Sequence, residues 1–329
     1  AMAAESLDEP LRTFTVGFDG DSAGVDERPL ARMVSDRYGT DHRELFLGTE
    51  DTIPLPQLIW NAGEPFADVS VLPSHQISRM ARSDITVALT GDGGDESFGG
   101  YANVYAAYFG SKVKRWVPKS VRNKMEKLIS GSIRDVNTPS PVHRLGTLLK
   151  FAEKSPIELY DLPEWWNSHL RSDLYAHERR TTNASDSPLR IVEQTLASVQ
   201  NLDDVSQILY TDLHLRLPGD YLTKMDIASN AVALEIRSPF LDHDLVEFAA
   251  SLPVDSRMRG WKQKGMLRSL ASRYLPKESL NRKKTGFGPP LASWLRGKWA
   301  PLVQQLITDG IANRAEWFDQ STIRRTVDE

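Results

Sequence analysis

The 329 residues carry 40 Lys and Arg against 44 Asp and Glu, a net charge of −4, with 40% hydrophobic residues and no cysteine. That balance gives no global attraction to nucleic acid or an anionic membrane, and the lack of cysteine excludes disulfides, thiolate metal sites and a cysteine nucleophile in this chain. No apolar run reaches the roughly 20 residues of a spanning helix and "AMAAESLDEP" lacks the segments of a signal peptide, so the expectation is a cytoplasmic enzyme without nucleic-acid or membrane partners.

The first third alternates strand and helix signals. "TFTVGF" (13–18) alternates Phe14, Val16 and Phe18 with smaller residues and reads as a strand. "DERPLARMVSDRYG" follows, with Leu30, Met33, Val34 and Tyr38 at helical spacing and Gly39 placed as a C-cap. "ELFLG" (44–48) is a short second strand, and a helical stretch through Leu58, Ile59 and Trp60 comes next. The loop "GEPFADVSVLP" then leads into a helix through Ile77 and Met80. "ITVAL" (85–89) is β-branched without alternation, the pattern of a strand buried on both faces. Strand and helix in this order imply a parallel α/β sheet, with ligands beyond the carboxyl ends of the strands.

From about Tyr105 to Tyr210 strand signals vanish, and segments such as "VHRLGTLLKFAEK" and "VEQTLASVQNL" read as helices broken by prolines and by "RTTNASDSP". Helical character is expected to continue through "ILYTDLHLRLPGDYLTKMDIASNAVALEIRSPFLDHDLVEFAASLP". This divides the chain into a nucleotide-binding α/β region (1–104), a helical insertion (105–210) and a helical region with a cationic loop (211–329).

At the end of the third strand stands "TGDGGDESFGGY" (90–101), with Asp92, Asp95 and Glu96 among Gly91, Gly93 and Gly94. The glycines permit φ > 0 and close approach of a ligand to the backbone. A dinucleotide fingerprint is excluded, because Glu96 stands where its third glycine belongs. Carboxylates beside phosphate require a divalent cation, and Mg²⁺ fits, taking one or two carboxylates and completing its shell with phosphate oxygens and water. The competing explanation is a glycine turn whose aspartates cap the next helix.

The whole string resembles the second motif of the asparagine synthetase family, in its ATP-dependent synthetase domain. "TFTVGF", "GTDHRELFL", "GEPFADVSVLP", "ALEIRSPFLDHDLVEFAASLP" and "NRKKTGFGPPLASWLRG" resemble blocks of the same family in the same order. The resemblance implies an α/β fold with a doubly wound parallel sheet of the ATP-pyrophosphatase (PP-loop) type and a large helical portion. It also implies a ligase that adenylates a carboxylate with ATP and Mg²⁺, after which ammonia forms the amide. By the same resemblance Val16 contacts adenine, while Thr90, Gly91 and Gly93 approach the nucleotide and Asp95 holds Mg²⁺. Asp92 stands where the family often carries Glu, so it either handles the proton of the incoming amine or serves as a turn-forming aspartate. Lys284, in the family's R-x-K-x-G-F pattern beginning at Arg282, either closes over the phosphates or belongs to a solvated loop.

Glu235 joins the catalytic candidates, while its neighbours Arg237 and Asp242 read as structural. Glu64 and Asp68 fall where the family has an acidic loop near the nucleotide, and Asp226 is a weaker candidate for substrate contact because Ile227 follows it where the family shows Arg. The implied partners are aspartate or another small carboxylate, and ammonia from a glutaminase domain absent from this chain; a homodimer is one option, and the sequence does not decide the oligomeric state. The family's S-G-G-x-D-S loop and the strand before it are also absent, so the expectation is a fragment of a longer enzyme, without turnover alone and with a gap in its sheet. Sibling chemistry on a sugar acid, peptide or lactam-forming acceptor, and a non-catalytic relative, stand as alternatives. The basic run "KVKRWVPKSVRNKMEK" reads as a solvated face, His243 as a surface residue and Trp165-Trp166 as packing of the helical lobe.

Overall fold

The structure is a computed structural model and describes residues 1–18, 26–48, 55–122, 124, 153–160, 172–179, 187–259, 262–281, 287–310 and 316–328. In chain order the principal elements begin with β1 (Arg12–Phe18), α1 (Arg28–Tyr38), β2 (Asp41–Leu47), α2 (Leu55–Ala62), α3 (Val71–Arg82) and β3 (Val87–Leu89). They continue with α4 (Gly94–Phe98), α5 (Ala102–Trp116), α6 (Leu189–Ser198), α7 (Asp204–Thr211), α8 (Thr223–Asn230), β4 (Glu235–Arg237), α9 (His243–Ser251) and α10 (Leu291–Arg296). A π-helical stretch, Asp212–Leu222, joins α7 to α8 and accommodates Pro218. The chain divides into two units. One comprises Ala1–Asp92, Pro218–Asp242 and Leu267–Asn313; the other comprises Gly93–Leu217, His243–Met266 and Arg314–Glu329.

In the first unit β1 and β2 pair in parallel from Arg12↔Asp41 to Phe18↔Leu47, as the strand–helix–strand order requires. Between them, Pro29 at the start of α1 presets φ, and Gly39 ends the helix in the left-handed conformation (φ 60°, ψ 38°). The alternation in β1 places Val16 and Phe18 in the core with Leu47, Leu58, Val71, Ile227 and Trp294. Trp294 meets Phe18 edge to face at 6.4 Å between ring centroids.

A second parallel pair, β3–β4, runs from Val87↔Glu235 to Leu89↔Arg237. β4 corrects the expectation of unbroken helix from Ile208 onward: "EIR" is too short to show a period, and its pairing with β3 makes it a strand. The two pairs remain separate two-stranded sheets among the described residues. β3 is also not buried on both faces as expected. Val87 and Leu89 are 39% and 61% exposed, because they border a cavity of about 700 Å³ whose opposite wall includes Arg12, Thr13 and Phe14 of β1.

The second unit is helical, apart from an isolated antiparallel bridge between Tyr175 and Phe318 among the described residues. α5 and α7 bury Val104, Ala107, Tyr108, Val205, Ile208 and Leu209 against one another and against Met258. α7 starts at Asp203, whose carboxylate accepts from the amides of Val205 and Ser206, both at 3.1 Å. Basic residues at the end of α5 meet acids of the same unit, Lys112 with Asp255 and Lys114 with Asp204. "RTTNASD", Trp165-Trp166 and most of "VHRLGTLLKFAEK" lie outside the described residues. No described helix is long and apolar enough to cross a membrane.

Candidate functional site

In the first unit, the ladder of β3 extends one residue past the strand, the Thr90 amide donating to the Arg237 carbonyl at 3.0 Å. Thr90 Oγ1 then donates to Asp92 Oδ2 at 2.7 Å and lies 2.7 Å from Ser238 Oγ. A short hydroxyl contact thus fixes Asp92 at the carboxyl end of a parallel strand, where ligands of such sheets bind. Asp92 lines a cavity of about 760 Å³ together with Asp226, Glu235 and Ser238, between apolar walls that include Leu222 and Ile236. Asp226 accepts from the Asn230 amide at 2.6 Å, and Glu235 accepts from Arg237 Nε at 2.7 Å.

Also in this unit, Val16 is buried in the core and Glu64 is exposed. Asp68 meets Lys224 at 3.2 Å. Burial works to raise the Asp68 pKa, but hydrogen bonds from Ser70 and the Lys224 charge hold it below the usual carboxylate value.

The second unit begins with Gly93, whose φ of 85° is the one positive value among the three glycines of the turn. Gly93 is the N-cap of α4 and no side chain caps the helix, so the aspartates here are not caps. Asp95 Oδ2 meets Lys264 Nζ at 2.9 Å. Gly100 follows with its amide on the Asp95 carbonyl at 2.9 Å, and a Cβ there would collide with Asp95 Oδ1. Only glycine leaves room for this carboxylate.

The adjacent Glu96 is fully buried and accepts from the Tyr101 hydroxyl. Burial raises its pKa. Asp212 is equally buried, accepts from Tyr160 Oη at 2.9 Å and lies 3.5 Å from Arg216. Burial pushes the Asp212 carboxyl up to about 6, against the lowering pull of Arg216. The Arg216 guanidinium also lies 5.2 Å from the Tyr101 ring centre and 5.7 Å from that of Tyr160.

This network, in which Tyr101, Tyr160 and Arg216 surround the buried Glu96 and Asp212, is not visible in the sequence, where Glu96 reads as one of three equivalent acids. The local signal was Tyr101, five positions after Glu96; nothing nearby signalled Tyr160 or Asp212. His243 is exposed, as expected. Arg282 and Lys284 lie outside the described residues.

A divalent cation fits Asp95. An ammonium already sits on its carboxylate, and the missing side chain of Gly100 is what makes room for both groups. Among the described residues no group of three or more acids or histidines forms a cage.

The family described as Asparagine synthase matches residues 1–329. A glutamine-hydrolyzing asparagine synthetase 1 of Bacillus subtilis is 26% identical over 307 residues, covering 93% of this chain and 46% of that protein. Asparagine synthetase 3 of the same organism, also glutamine-hydrolyzing, is 24% identical over 344 residues, covering 94% of the chain and 49% of the relative. Amidase chry2 of Gibberella zeae is 20% identical over 349 residues, covering 98% and 50%. The chain spans about half the length of the curated relatives it matches. With the match running from the first residue to the last, the chain belongs to the asparagine synthase family.

Proposed function

We propose that the chain is the ATP-dependent synthetase domain of an asparagine synthetase-like enzyme. It adenylates the side-chain carboxylate of aspartate, releases pyrophosphate, and lets ammonia displace AMP to form the amide. The family match over residues 1–329 carries this reading, and the cation already held by Asp95 supports its electrostatic half. Asp95 holds Mg²⁺, while Thr90, Gly91 and Gly93 offer backbone groups to the nucleotide and Val16 lies beside adenine. When bound, Mg²⁺ offsets the charge of the departing pyrophosphate. Lys284 adds a second cation on the phosphate side. Asp92, tethered by Thr90, and Glu235 across the same cavity hold and move the proton of the incoming amine. The proposal includes the family's doubly wound sheet, of which the parallel pairs β1–β2 and β3–β4 are parts, and ammonia supplied by a glutaminase domain.

A second acceptor class has its own support: the amidase-named relative covers nearly the whole chain, and the cavity at Asp92 has apolar walls. AMP and pyrophosphate release by the full-length protein that carries this chain separates the two, measured with ammonia against a panel of carboxylates. Aspartate is expected to give AMP, and Asp95→Asn to lower kcat on the order of a thousandfold. AMP release with another carboxylate alone moves the reading to that acceptor. Release from none of them, or an unaffected Asp95→Asn enzyme, overturns it.

A further inference from the structure

We propose that Lys264 is a resident competitor for the cation position at Asp95: its ammonium holds the carboxylate until a divalent ion takes it, and the two cations exclude one another. The inference rests on Asp95 being the metal ligand, and concerns what controls access to it.

Three observations converge on the pair. Lys264 has φ of 53°, in the left-handed region that a side-chain-bearing residue enters at a cost of roughly 1–2 kcal/mol. It is held there by its amide, which donates to the Gly99 carbonyl at 3.2 Å. Gly99 is itself left-handed (φ 72°), and a Cβ on Gly100 would strike both Asp95 Oδ1 and the Lys264 side chain. The backbone on both sides of the ion pair is shaped to bring this ammonium to this carboxylate. An observed strained residue at a candidate site is a reason to look for function there.

The exposure of the pair decides what kind of contact it is. The Lys264 and Asp95 side chains are 31% and 23% exposed. An ion pair in that setting contributes about 1 kcal/mol or less, so a dication can displace it. Lys224–Asp68 in the other unit is built differently: that lysine is buried, and Asp68 also accepts from the Ser70 amide and hydroxyl. Glu96 cannot share the role, since it is buried and engaged by Tyr101. The exchange therefore concerns the Asp95 carboxylate and the Lys264 ammonium.

Mn²⁺ binding to the full-length protein that carries this chain, followed by the electron paramagnetic resonance of free Mn²⁺, tests the competition. Removing a competitor worth up to about 1 kcal/mol raises apparent affinity up to about fivefold, so Lys264→Gln is expected to bind Mn²⁺ more tightly than the parent by as much as that factor. Lys264→Gly, which also relieves the left-handed strain, should tighten binding equally and guards against a folding defect in the first variant. Lys264→Arg keeps the charge and should show no gain. Asp95→Asn should abolish the binding in either background. Binding that stays equal or weakens in both uncharged variants, or that neither shows at all, overturns the inference. Binding that persists in Asp95→Asn overturns instead the assignment of Asp95 as ligand.

Discussion

The carboxylates of the two units are held in opposite ways. In the first unit Asp92, Asp226 and Glu235 line an open cavity and take a hydroxyl, an amide and a solvated arginine as partners. In the second, Glu96 and Asp212 are fully buried, and their partners are phenols and a guanidinium packed over aromatic rings. Asp95 stands between these extremes, partly exposed and on an ammonium. Burial, rather than spacing in the sequence, separates acids that a ligand can reach from acids that hold the fold. Breaking a buried pair strands a charge, whereas breaking a solvated one changes little.

The largest effect is expected at Arg216. Arg216→Ala leaves Asp212 buried without its cation; a carboxyl at about 6 can take up a proton instead, which limits the loss at pH 7, lost packing over Tyr101 and Tyr160 included, to about 2 kcal/mol. Urea unfolding at pH 7 should show stability lower by that amount, read from the midpoint and the slope. A loss below about 1 kcal/mol would place Asp212 with the solvated acids of the first unit and dissolve the contrast.

The pH dependence sharpens the same point. The folded Asp212 carboxyl stands at about 6, above its ordinary 3.8, so the folded state binds this proton more tightly than the unfolded chain does. The resulting stabilisation is fully present below pH 3.8 and is lost as pH rises through 6. It amounts to something on the order of 2–3 kcal/mol. Other carboxylates titrate in the same window, so the measurement is the difference between the parent and Asp212→Asn from pH 4 to 7. The parent should lose stability relative to the variant as pH rises; parallel curves would refute the raised value.

How much of this was legible beforehand follows from the distance over which each contact acts. The alternation Phe14, Val16, Phe18, the cap at Gly39 and the helix containing Leu58 are local, and each appears where periodicity put it. β4 was missed because three residues carry no period, and its identity comes from β3. The acidic turn was visible as a unit, yet the distinction between Asp95 and Glu96 was not. Lys264 reaches Asp95 from a distant segment, and Tyr160 and Asp212 meet from 52 positions apart. Exposure of β3 was misjudged for a related reason: an apolar run reports what a strand can bury, and its neighbours decide what it does bury.

A smaller effect is expected at the start of α7. Asp203→Ala removes the acceptor for the Val205 and Ser206 amides and should cost about 1 kcal/mol, read as a lowered urea midpoint. Asp203→Asn should recover most of it, since asparagine serves nearly as well at an N-cap. Failure of that recovery would mean that the charge, through Arg257 or the helix dipole, matters more than the hydrogen bonds.

The smallest effect sets the other end of the comparison. Arg237 and Glu235 make a contact of 2.7 Å, shorter than that of Arg216 with Asp212, yet their side chains are 66% and 55% exposed. Distance alone would rank this pair above the buried one. Exposure reverses the order, because water screens the attraction and hydrates whichever partner is left. Arg237→Ala should therefore shift stability by no more than about 0.5 kcal/mol in the urea titration that detects the Arg216 variant. A loss as large as that expected for the Arg216 variant would show that proximity outranks solvent in this molecule, and Glu235 would then belong with the acids that hold the fold rather than with those open to a ligand.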